Sequence, residues 1–106
     1  MRKAAVYLRG EFAGVLSETS DKEYIFRYDD NYFSDENKPA ISLNIDKSQQ
    51  EHKSKYLFPF FFNMLSEGSN RLVQARMLHI DENDHFGILL ATAHTDVPGA
   101  VTVKPF

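Results

Sequence analysis

The sequence predicts an α+β fold: an antiparallel sheet of about five strands, with three helices between the fourth and last strands. Three observations carry this. Through residues 4–28 apolar and polar side chains alternate, and short polar turns interrupt the runs, the pattern of a strand meander. From Phe58 the apolar spacing becomes i, i+3, i+4 and i+7, the repeat of a helix face. Near the end Val101 and Val103 alternate again, and a strand there must rejoin the sheet to satisfy its backbone.

Taken in order, Ala4 to Arg9 reads as the first strand and Arg9-Gly10-Glu11 as its turn. Phe12 to Leu16 is the antiparallel return, with Gly14 suited to a bulge. After the polar turn Thr19 to Lys22, the segment Glu23 to Tyr28 places Tyr24, Phe26 and Tyr28 on one face and Ile25 and Arg27 on the other. Asp29 to Pro39 reads as a loop or a single helical turn. Ile41, Leu43 and Ile45 alternate with polar residues and are expected to form the fourth strand, half buried. Lys47 to Lys55 contains no apolar residue and reads as a mobile loop. Phe58, Phe61, Phe62 and Leu65 form one helical stripe, with Pro59 in the first turn, where its missing N–H costs nothing. Gly68 stops that helix. Ser69 or Asn70 caps a second, facing inward through Val73, Met77 and Ile80. Asp81 to Asp84 starts a third, with Phe86, Leu89, Leu90 and Ala93 inward. Residues 95–99 form a turn before the last strand.

At 106 residues, with 42% of them hydrophobic, the chain is expected to be a single domain over 1–106 that builds one core. The absence of cysteine excludes disulfides, thiolate metal sites and thiol nucleophiles. No apolar run approaches the roughly 18 residues that span a bilayer, and the start lacks a signal-peptide pattern. The expectation is a soluble, unexported, cytoplasmic protein. Net charge is −3, distributed as +2 over residues 1–17 (three bases, one acid) and −5 over 18–51 (four bases, nine acids), with 52–106 balanced. No basic stripe of the kind that displaces counterions from a duplex is present, so direct nucleic-acid binding is not expected.

The chemical inventory is equally plain. His52, His79, His85 and His94 form no i, i+4 pair and no zinc-hydrolase spacing. The five glycines are scattered, which leaves no phosphate-cradling loop. Asp81, Glu82 and Asp84 lack calcium-loop spacing and read as a helix cap with solvated acids. Glu18, Asp21 and Glu23 read as solvated loop carboxylates. The sequence therefore predicts a non-enzyme, with no cofactor and no metal. What stands out is Phe58-Pro59-Phe60-Phe61-Phe62: one stripe already fills the helix face that a small domain can bury, and Phe60 and Met64 project from another side. Aromatic residues and methionine are enriched at interface cores, so these two are candidate partner contacts; the alternative is a helix sandwiched between the sheet and neighbouring helices, which would bury them.

Three stretches together resemble one family. Phe60-Phe61-Phe62-Asn63-Met64-Leu65-Ser66-Glu67-Gly68, followed by Arg71, is similar to the helix and loop near the N-terminus of HipA-type serine/threonine kinases. Asp84-His85-Phe86-Gly87-Ile88-Leu89-Leu90 is similar to a later helix of that family, and Asp96-Val97-Pro98-Gly99-Ala100-Val101 to the turn and strand after it. The resemblance covers essentially the whole chain. It implies the N-terminal subdomain of toxins from toxin–antitoxin systems, whose ATP-binding and catalytic residues lie downstream. It further implies a HipS-like subunit that docks in trans on a HipT/HipA-like kinase and restrains it, while a HipB-like protein binds DNA. The implied contacts are Phe60, Met64, Glu67, Gly68, Ser69 and Arg71. The alternative is a structural subunit or remnant that completes the kinase fold without inhibiting it. Ser66 replaces the family's proline, and Ser69 stands where relatives often carry a bulky apolar residue able to wedge into a cleft.

Overall fold

The structure, a computed structural model, describes residues 2–63, 76–77, 79–81, 83–92 and 101–106. The described elements are β1 (Arg2–Leu8), β2 (Glu11–Glu18), β3 (Tyr24–Tyr28), α1 (Asp30–Ser34), β4 (Glu51–Ser54), α2 (Pro59–Phe62), α3 (His85–Thr92) and β5 (Val101–Pro105). The strands form one sheet in the order β4-β3-β2-β1-β5, and every neighbouring pair is antiparallel. This is the α+β architecture that the sequence predicts, and the closing strand does return to the sheet, beside β1. Between β4 and β5 lie α2, the helical residues 76 and 77, and α3.

Period-two alternation assigns the faces. Ala4, Val6, Leu16, Phe26, Tyr28 and Val103 point inward and are essentially inaccessible, and α3 packs on them through Phe86, Ile88 and Leu89. The β1–β2 pairing slips by one residue after Val6: Val6 faces Gly14 but Tyr7 faces Phe12. Ala13 is the extra residue, and this bulge keeps both Ala13 and Leu16 in the core. Gly14 is required there, because a Cβ would overlap the Arg27 carbonyl oxygen and sit 2.8 Å from Phe26 Cζ.

Five expectations are corrected. The fourth strand is Glu51–Ser54, not Ile41 to Ile45. A polar edge strand needs no apolar face, because its ladder to β3 is made by backbone, so the segment expected to be a mobile loop pairs Phe26 with His52. Ile41 and Ile45 are buried, but as the two feet of a turn closed by a Ser42–Ile45 bridge, and Leu43 at its tip is 95% exposed. The Tyr28 hydroxyl fixes that turn by accepting the Ile41 N–H at 3.1 Å and donating to the Ile45 carbonyl.

Phe62 departs from its expected stripe: Phe58 and Phe61 are buried while Phe62 is 36% exposed. Phe58 is the N-cap rather than a helical residue, so the helical phase begins one residue later and turns Phe62 outward. Met77, expected inward, is 76% exposed, and the positive φ of 57° at His79 takes the half-buried Ile80 out of helical register with it. Glu18 is buried rather than solvated. The expected cap at Ser69 or Asn70, and the inward Leu65, Val73 and Ala93, lie outside the described residues, as does the 95–99 turn. Among the described residues, no helix is long and apolar enough to cross a membrane.

Candidate functional site

One end of the inner face gathers charge. Arg2 Nε and Nη2 donate to Glu18 Oε1 at 2.9 and 2.6 Å, while Nη1 and Nη2 reach Asp84 Oδ2 and Oδ1 at 2.9 and 2.7 Å. The guanidinium also lies 5.1 Å from the Phe86 ring centroid. Tyr24 donates its hydroxyl to the second Glu18 oxygen at 2.8 Å. Asp84 has a second duty as the cap of α3, accepting the Gly87 N–H at 3.1 Å. Position 87 suits glycine because a Cβ there would crowd the Asp84 carboxylate and approach Arg2 Nη1 to 3.3 Å. The hydrogen bonds from Arg2 hold the Asp84 carboxyl below the usual carboxylate range. Burial, reinforced by the bond to Glu18, pushes Tyr24 up to about 12. The cluster is a brace: it fastens the N-terminus of α3 to β1 and β2.

Above the brace opens a cleft of about 400 Å³ lined by Lys22, Tyr24, Lys55, Tyr56, Leu57, Phe62 and His85. Lys22 is presented by the β2–β3 turn, in a left-handed conformation (φ 64°) held by Thr19, whose carbonyl accepts the Lys22 N–H at 3.0 Å. Lys55 and Tyr56 follow β4, and the Tyr56 ring is 78% exposed. Leu57 and Phe58 anchor the segment in the core, so the next turn of chain throws Phe62 to the cleft, edge-on to His85 at 5.0 Å between ring centroids. The lining offers aromatic edges and an apolar floor flanked by two ammonium groups and an imidazole. That chemistry suits contact with a protein side chain. Among the described residues, no group of three or more His, Cys, Asp or Glu is placed to hold a metal ion.

Of the sequence-derived contact residues, Phe60 is half-buried against the core and edge-on to Phe61 at 5.3 Å. Met64, Glu67, Gly68, Ser69 and Arg71 lie outside the described residues. The structure adds Tyr56 and Phe62, which the periodicity had given no role or an inward one. The signal for Phe62 was Pro59: proline at the first helical position places the cap at Phe58 and resets the phase.

With this geometry in view, comparison with known proteins defines the class. Residues 4–104 match the family described as the HipA N-terminal domain, and the chain belongs to that family. A solved structure described as the N-terminal domain of HipA toxin superposes over 100% of this chain and 93% of that one, with a TM-score of 0.74 and 30% identity. Among curated relatives, "Putative kinase Y4dM" of Sinorhizobium fredii is 33% identical over 106 residues, covering 94% of this chain and 26% of the relative. "Putative kinase Y4mE" of the same organism is 29% identical, with 99% and 25% covered. An uncharacterized protein of Haemophilus influenzae is 33% identical over 104 residues, with 98% of this chain and 92% of the relative covered. The chain thus spans about a quarter of the two kinase-named relatives and nearly all of the third.

Proposed function

We propose that this domain is a non-catalytic regulatory module of a toxin–antitoxin system that docks in trans, in the cytoplasm, on a HipT/HipA-like serine/threonine kinase and restrains it. The observation that carries the reading is the pair of settings in which relatives hold the domain: a quarter of proteins named as kinases, and almost the whole of the Haemophilus influenzae protein. A domain that occurs both ways has a surface suited to a kinase partner whether or not a peptide bond joins them. The cleft beside α2 is the docking surface. Tyr56 and Phe62 are its aromatic anchors, flanked in the proposed contact set by Phe60, Met64, Glu67, Gly68, Ser69 and Arg71. Restraint follows only if the module binds the inactive kinase more tightly than the active one; a 100-fold preference corresponds to about 2.7 kcal/mol.

The test is co-expression with a HipT/HipA-like kinase, followed by phosphorylation assays with increasing amounts of the purified module. Binding with loss of kinase activity supports restraint. Tight binding with unchanged activity supports the second reading, completion of the kinase fold, which the covalent arrangement in the Sinorhizobium fredii relatives favours. No binding removes both.

A further inference from the structure

Alternation gives the sheet a second face, directed away from the helices, and its composition differs from that of the rest of the molecule. Ala5 and Tyr7 of β1, Phe12 and Val15 of β2 and Ile25 of β3 point to this side, and none belongs to the hydrophobic core. Tyr7, Phe12, Val15 and Ile25 are only half-buried. Around them stand four cations, Lys3, Arg27, Lys53 and Lys104, all exposed, against two carboxylates, Glu51 and Asp30, which pair with Arg27 at 3.5 and 3.6 Å. The face therefore carries +2, four cations against two carboxylates, on a chain whose net charge is −3.

We infer that this outer face is a second docking surface, and that its occupant is an acidic amphipathic helix of another protein. The apolar residues occupy three adjacent strands, β2 between β1 and β3. Strands lie about 4.8 Å apart, so the strip is roughly 10 Å wide, the width of one α-helix. Lys104 on β5 borders one side of it, and Arg27 and Lys53 on β3 and β4 border the other. A helix with an apolar stripe flanked by Asp and Glu meets the strip with its stripe and both cationic borders with its acids. The backbone groups of this face are already used in the sheet ladders, so recognition is by side chains and not by strand addition. Two copies of this chain placed face to face would oppose +2 with +2, which disfavours self-pairing. Four cations around an apolar centre suit a protein better than a nucleic acid, whose affinity comes from many phosphate contacts. The surface is on the opposite side of the sheet from the cleft, and the inference stands independently of the kinase reading.

The experiment uses the full chain, isotopically labelled, and a 20-residue helical peptide with a Leu/Ala stripe flanked by Glu, beside the same peptide with Lys for Glu and a short DNA duplex. The expected result is displacement of the Ala5, Val15 and Ile25 amide resonances by the acidic peptide alone, with affinity at least tenfold lower at 500 mM than at 50 mM NaCl. The variant K53E/K104E, whose melting temperature should match the parent because both side chains are exposed, is expected to bind at least tenfold more weakly. Equal binding of the Lys peptide, tighter binding of the duplex, resonance changes confined to the α2 cleft, or no binding at millimolar peptide would overturn the inference.

Discussion

Replacing Arg2 with methionine tests the brace directly. Methionine keeps much of the stem's volume over Phe86 but removes the donors to Glu18 and Asp84. The Glu18 side chain is 6% exposed, so it would be left buried with the Tyr24 hydroxyl and only a distant Lys22, at 3.9 Å. Stranding a buried charge by deleting its partner costs about 3–5 kcal/mol. The Arg2 side chain is 37% exposed, however, and water screens part of the loss, so about 2–4 kcal/mol is expected. For a domain of this size that lowers Tm by roughly 10 °C. Urea melts at pH 7 measure it, and the double variant R2M/E18Q supplies the control. Removing the stranded charge should recover about 1 kcal/mol or more of the loss. The pH dependence has a fixed sign. Asp84 ionises more readily folded than unfolded, so its contribution is present above the unfolded carboxylate value near pH 4 and is lost as pH falls through the lower folded value. That acid-induced loss should shrink in R2M. A cost below about 1 kcal/mol, or an R2M/E18Q variant no more stable than R2M, would refute the assignment of Arg2 as the tie between α3 and the sheet.

Other consequences are equally checkable. Tyr28→Phe leaves the buried Ile41 N–H and Ile45 carbonyl without their partner and should cost about 2–4 kcal/mol in a urea melt. Gly14→Ala drives a methyl into the Arg27 carbonyl; the neighbour is backbone and cannot move aside, so a loss above about 2 kcal/mol is expected by thermal melting. Tyr24 and Tyr28 are each pushed up to about 12 by burial, so part of the phenolate absorbance should appear only as pH approaches 12. Stability from these tyrosines is complete below pH 10 and declines as pH climbs through 12. Tyr56→Ala should change stability by less than about 1 kcal/mol, since Tyr56 is 78% exposed, and combined with Phe62→Ala it should weaken kinase binding at least tenfold if the cleft is the docking surface.

Much of the fold was legible because period and punctuation agree. The alternation at 24–28 assigns the two faces of β3 correctly, and Gly14 does mark the bulge region of β2. The illegible parts have particular causes. Glu51 to Ser54 carries no hydrophobic signal because an edge strand is held by its neighbour's backbone. Ile41, Leu43 and Ile45 alternate like a strand, but Tyr28 takes the hydrogen bonds that a strand partner would have made. Glu18 looks solvated in sequence because its partners, Arg2 and the side chain of Tyr24, come from two other strands. At the candidate site, the aromatic run announced a helix with something to spare, but which phenylalanine it spares depends on a one-residue shift of the cap. The outer face was invisible for a related reason: Lys3, Arg27, Lys53 and Lys104 are scattered along the chain and become a border only when five strands are laid side by side.

The place of β1 has a consequence for biosynthesis. β1 is paired on one side with β2, Arg2 facing Glu18 sixteen positions on, and on the other with β5, which includes Lys104. As the polypeptide leaves the ribosome, the meander β1-β2-β3 can assemble early, but Arg2 to Leu8 keeps one flank of open amides and carbonyls until Val101 to Pro105 has emerged. While the residues between β1 and β5 are being made, β1 therefore displays an unprotected strand border, the template on which chains cross-associate. Pairing of β5 is the step that turns β1 from an edge strand into an interior one.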